Sequence, residues 1–167
     1  MFRSKDLYMK NIYDSNGKKL GISKSIYIDF YRGQVIGIGF NNYKMNGKRN
    51  YVDVNDIILL EDNDILVKSV GKGSGLKFSD IKDLEVIDKL GNSKGIVEDI
   101  LIDKENYKIK GLIVSPGIID RILRGKEVIL INNSVLGEDY ILYLGEPNIV
   151  FKNIPHEINK NGYVKKA

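Results

Sequence analysis

Acidic side chains close together in sequence are the residues best suited to chemistry in this chain. Asp103 follows the Glu98-Asp99 pair by four residues, and Asp64 follows Glu61-Asp62 by two. General acid–base catalysis needs carboxyls that converge in a cleft with displaced pKa values. A calcium loop needs oxygen ligands at alternating positions and a bidentate glutamate, and neither cluster has that spacing. These acids are therefore expected to cap turns and solvate strand faces. His156, the only histidine, follows Pro155 without a second ligand or a nucleophile near it, and reads as a surface side chain. The absence of cysteine excludes disulfides, thiolate metal sites and thiol nucleophiles. No catalytic residue, metal site or cofactor site is expected, and the chain is not expected to be an enzyme.

Two stretches could bind something. Tyr43 to Tyr51 interleaves aromatics with cations. Its Tyr43, Lys44, Lys48 and Arg49 could stack on bases and neutralise phosphates, although three cations in a hairpin loop are also ordinary surface. Further on, Ile118, Ile119, Ile122 and Leu123 share one apolar face of a short helix, with Asp120, Arg121 and Arg124 outside it. Pro116 stands where that helix would start and Gly125 where it would stop. The face either packs on its own barrel or stays exposed to bind a protein partner.

The elements carrying these residues repeat. Asp14-Ser15-Asn16-Gly17…Leu20-Gly21-Ile22 returns as Asp88-Lys89-Leu90-Gly91…Lys94-Gly95-Ile96, an offset of 74. The same offset pairs Asp6-Leu7 with Asp80-Ile81, Ile28-Asp29 with Ile102-Asp103, and Gly37-Ile38 with Gly111-Leu112. After a slip of a few residues, Val54…Asp62 matches Ile131…Asp139. The boundaries read as a first unit over 1–70, a glycine-rich linker over 71–77, a second unit over 78–145, and an unmatched tail over 146–167. The linker lacks Walker spacing and leads into no long amphipathic helix, so a flexible connection is the expected reading. The tail is expected either to dock across the two units or to lack order.

Within each unit the apolar period is 2, the signature of strands. Gly17 and Gly91 suit hairpin turns, Gly33 supplies a positive φ between two strands, and Gly21 and Gly95 permit a bend where the next strand opens. Five or six short strands with glycines at the corners predict an all-β chain of two tandem small β-barrels with one short helix, closure removing exposed edges.

Composition agrees. The 167 residues are 43% hydrophobic and 29% charged, with a mean hydropathy of −0.21, which suits a folded chain. Units of about 70 residues are near the lower limit for one core, so they should lean on each other or on a second chain, a homodimer included. The net charge of +4, with acids interleaved throughout, is weak support for RNA. No run of about 18 apolar residues is present, and the polar start leads into no signal-like stretch, so a cytoplasmic location is expected and the Asn132-Asn133-Ser134 sequon carries little weight.

The glycines and core positions together resemble the PRC-barrel domain. The pattern is Asp-Leu, then Val-Asp-x-x-Gly-x-x-x-Gly, then Ile-x-Ile-Asp, a strand ending Gly-Leu-Ile-Val, and Glu-Asp-x-Ile-Leu. Residues 80–145 match it well. The first unit matches through 6–38 and 54–67 and departs in the loop between. Gly125-Lys126-Glu127-Val128 and Glu138-Asp139-Tyr140-Ile141-Leu142 are similar to short single-barrel sporulation proteins. The resemblance implies barrels of about six strands used as docking or assembly modules, and it transfers no catalytic residues. The resulting expectation is a non-enzymatic protein-interaction module in an assembly or sporulation setting, its partner unidentified. The alternative is an RNA- or ribosome-associated maturation factor.

Overall fold

The computed structural model describes residues 1–41, 50–116 and 126–145, with the backbone of 150–151. The chain is mostly strand. After β1 (Phe2–Arg3), the first sheet comprises β2 (Asn11–Asp14), β3 (Lys19–Asp29), β4 (Gln34–Asn41), β5 (Tyr51–Asp53), β6 (Ile57–Leu60) and β7 (Asp64–Val67). The second comprises β8 (Glu85–Asp88), β9 (Ser93–Ile102), β10 (Ile109–Ser115), β11 (Lys126–Ile129), β12 (Ser134–Leu136), β13 (Tyr140–Tyr143) and β14 (Val150–Phe151).

The first sheet runs β5-β4-β3-β2-β7-β6. The second, read from β11, runs β11-β10-β9-β8-β13-β12, with β14 added outside β11. Six strands thus follow one order twice, and each half contains one parallel pair, β2 with β7 and β8 with β13. Both sheets curl in a barrel-like way. Their hydrogen bonding stays open at one seam, because 3-10 turns at Val54–Asp56 and Ile131–Asn133 make a corner between the end strands where a hairpin would have closed the circle.

The long third strand makes the curl possible. In β3 the pairing with β4 shifts register across Ser23 and Ser25, and in β9 the pairing with β10 shifts across Val97 and Asp99. Lys24 and Glu98 are the extra residues of these bulges, which bend the strand. Gly21 and Gly95 lie just before them. A Cβ on Gly21 would sit 1.9 Å from the Asn41 carbonyl oxygen, and one on Gly95 2.3 Å from that of Ser115. Only glycine allows the neighbouring strand so close.

One apolar cluster runs through both halves. It includes Ile12, Ile28, Val35 and Ile65 from the first, and Val86, Ile100, Ile109 and Ile141 from the second. The glycine stretch between the halves is laid along the first sheet. Tyr51 and Gly71 exchange backbone hydrogen bonds (3.2 and 2.8 Å), and Gly73 lies so close to the rings of Tyr27 and Tyr51 that a side chain there would clash. Those two rings meet edge to face at 5.1 Å, which buries Tyr27 although it sits out of phase with Ile26 and Ile28. The one described α-helix is the single turn Phe78–Ile81 (α1). The expected helix through Ile118, Ile119, Ile122 and Leu123 lies outside the described residues, as do Tyr43, Lys44, Lys48, Arg49 and most of the tail.

Gly95→Ala should cost about 2–4 kcal/mol, combining its positive φ of 123° with the backbone clash. Gly17→Ala, whose site has a φ of 77° and open space around it, should cost only about 1 kcal/mol. Urea denaturation of the two variants checks this difference.

Candidate functional site

Both halves send an arm to the other. Phe2 and Arg3 pair with Ile102 and Leu101 at the far end of β9. At the offset of 74, Leu76 accepts a hydrogen bond from Ile28 N at 2.9 Å, and Lys77 bridges Tyr27. Each arm continues into one helical turn, Ser4–Leu7 or α1, in which an aspartate accepts from the first backbone N–H: Arg3 N to Asp6 and Lys77 N to Asp80, both 2.8 Å. Each then reverses through a non-glycine residue of positive φ, Met9 at 61° and Asp83 at 69°. Finally, Val35 N donates to Tyr107 O (2.9 Å) and Ile109 N to Gly33 O (2.7 Å), with Gln34 facing Lys108. Residues here meet their own repeat mates, so a pseudo-two-fold axis passes between Gln34 and Lys108. Gly33 and Tyr107 hold the same φ of 58° beside it.

The most enclosed carboxylate among the described residues holds one of these arms in place. Asp99 is 4% exposed and accepts from Ser4 N (3.0 Å), Ser4 Oγ, Arg3 Nε (2.9 Å) and Ile100 N (2.8 Å). Next to it, Glu98 meets Arg3 at 3.5 Å and forms an ion pair with Lys126. The expectation that Glu98 and Asp99 merely solvate a strand face fails here. Asp99 lies out of phase with the core-facing Ile100 and Ile102, and the arm covers and satisfies it there. The available signal was the offset of 74, which sets Glu98-Asp99 against Lys24-Ser25 and Ser4 against Phe78.

Other acids do cap turns. Asp103 Oδ1 accepts from Glu105 N at 2.9 Å, and that bond, with Lys110 beside it, holds the carboxyl below the usual aspartate range. Asp88 is lowered in the same way, first by the backbone N–H of Asn92. Around Glu61, Asp62 and Asp64 it is backbone carbonyls that matter: buried Lys10 donates to the carbonyls of Glu61 (2.6 Å) and Asp62, and Asn11 donates to the Asp64 carboxylate at 2.8 Å. Among the described residues, no group of three or more His, Asp or Glu could hold a metal ion.

Two surfaces remain. A groove of about 300 Å³ lies beside the pseudo-axis, walled by Arg32, Lys108, Lys110, Leu130 and Asn132. Arg32 faces Asp29 at 3.5 Å and Lys110 faces Asp103 at 3.2 Å, while Tyr31 beside Arg32 is 73% exposed. The second surface is the outer face of the second sheet. Val135 opposes Leu142, which opposes Ile87. In the adjacent row Tyr140 opposes Glu85, which opposes Ile96. Val135, Tyr140 and Ile96 are 41%, 45% and 44% exposed, whereas their neighbours Val86, Ile141 and Tyr143 point into the core.

Residues 74–142 match the family model of the PRC-barrel domain. Over that stretch the chain is similar to the PRC-barrel domain. The match opens inside the glycine stretch, so the arm Leu76–Ile81 lies within the matched residues even though it packs on the first half. No curated protein matches the chain.

Asp99→Ala should lower stability by about 3 kcal/mol, because it leaves Arg3 and the Ser4 N–H without their buried acceptor. It should also speed amide exchange across residues 2–7. Asp88 stabilises the fold above the usual aspartate pKa, and that contribution fades as pH falls through its lowered folded value. The stability gap between Asp88→Asn and the parent should therefore be full at neutral pH and vanish in acid, as denaturation at a series of pH values would measure.

Proposed function

We propose that the protein is a non-enzymatic docking module built of two PRC-type barrels, and that it binds a protein partner across the outer face of the second sheet. The observation carrying this reading is the apolar row on that face. Val135, Leu142 and Ile87 run across three neighbouring strands, flanked by Tyr140 and Ile96. A sheet that has filled its inner face gains nothing internally from apolar side chains on the outside, and contiguous exposed apolar surface marks sites of association. Glu85 between Tyr140 and Ile96 gives the face a central charge, which favours a partner pairing apolar anchors with a cation. The resemblance of Gly125–Val128 and Glu138–Leu142 to single-barrel sporulation proteins extends the proposal to an assembly or sporulation setting.

A second reading, an RNA-associated factor, draws on the groove at the pseudo-axis. Exposed Tyr31 beside Arg32, Lys108 and Lys110 joins a stacking ring to phosphate-binding cations. Asp29 and Asp103 already face two of those cations, and this ranks it second.

The doubly substituted Val135→Glu, Tyr140→Glu chain should fold as the parent does and lose at least tenfold of the partner recovered by affinity capture from the native host. Equal recovery would refute the docking face. The RNA reading requires that binding of single-stranded RNA weaken steeply as salt rises and fall further in Lys108→Glu.

A further inference from the structure

We propose that the N-terminal arm, residues 1–7, is exchanged between two copies of this chain, each arm filling the slot along Leu101–Ile102 of the other copy. This does not depend on the docking face of the second sheet.

Three observations carry it. First, the slot already receives a segment from outside its own half. The contacts of Phe2 with Ile102, and of Arg3 and Ser4 with Asp99, are the same whichever copy donates the arm, so exchange sacrifices no arm contact. Second, the turn joining the arm to β2 is strained. Met9 holds a φ of 61°, a left-handed conformation that costs a non-glycine residue energy, and it is 77% exposed, so no burial of its side chain offsets that cost. Extending the turn to reach a second copy relieves the strain, and strained hinges favour swapping. The equivalent position in the other arm is Asp83, a residue type that tolerates this conformation better.

Third, the two arms are fixed differently. The second arm is held upstream by the pairing of Gly71 with Tyr51 and anchored by fully buried Phe78. In the first arm, where Phe2 and Leu7 are also buried, Ser4 takes the place of Phe78, and the lock at that position is polar, made by the Asp99 carboxylate. The released turn gives up Met9 N to Ser23 O (3.1 Å) and Lys10 N to Ser23 Oγ (2.8 Å), bonds that water can replace once the segment opens.

The test is sedimentation velocity on the full chain, refolded over a range of protein concentrations. A dimer fraction that rises with concentration is expected. Met9→Gly, which removes the strain, should lower the dimer-to-monomer ratio about tenfold, and Met9→Val should raise it. To identify the exchanged segment, Arg3→Cys and Leu101→Cys, which face each other across β1 and β9, are introduced together into this cysteine-free chain. Oxidation of the dimer fraction should then give a covalent dimer on a non-reducing gel. A chain that stays monomeric at every concentration, a dimer ratio indifferent to both Met9 substitutions, or a dimer containing only intrachain disulfide would each overturn the proposal.

Discussion

A strand longer than its own sheet can pair is the constraint on which this structure depends. β3 and β9 run for 11 and 10 residues, yet β2 and β8 cover only their first parts. Buried backbone groups beyond that point need partners, and each half obtains them from the arm of the other. Neither half satisfies its central strand alone. That explains why the apolar cluster is continuous across both, and why units this small can persist without disulfides.

The same exchange explains the order along the chain. The segment leaving the first barrel pairs Gly71 with Tyr51 on β5, then gives Leu76 and Lys77 to β3. The segment leaving the second places β14 on β11 at the corresponding edge, and the remaining place on β9 is taken by Phe2 and Arg3. Edges that would invite foreign strands are thereby occupied by the chain itself. Gly73 is needed in the connecting stretch because the chain there passes against two aromatic rings. A composition that reads as slack in sequence here permits close packing.

Much of the fold was legible because it depends on local pattern. Alternation placed Ile26, Ile28 and Val35, and the Asp-x-x-Gly motifs placed turns in which Asp14 and Asp88 accept backbone N–H groups. Reciprocity was not legible. An offset shows that two segments are alike, but pairing each arm with its own barrel or with the other gives the same sequence pattern. Asp99 was misread for a related reason. It is buried by an arm from the other half, which the alternation within its own strand does not reveal. The open seam between β5 and β6 escaped as well, since a 3-10 corner and a hairpin draw on similar polar residues.

Divergence between the halves shows what the shared frame leaves free. At the bulge Lys24-Ser25 corresponds to Glu98-Asp99, and in the arms Phe78 corresponds to Ser4, so at that position one slot is closed by apolar burial and the other by a charged network. Apolar contacts tolerate imprecise geometry, while a buried carboxylate accepting bonds from Arg3, Ser4 and Ile100 is stable only when all are in place. The second slot is therefore the more selective of the two, because a segment without a cation and a hydroxyl at those positions would leave buried Asp99 with only its backbone donors. In a pseudo-symmetric molecule, that chemical difference is what tells one arm from the other and sets each in its own place.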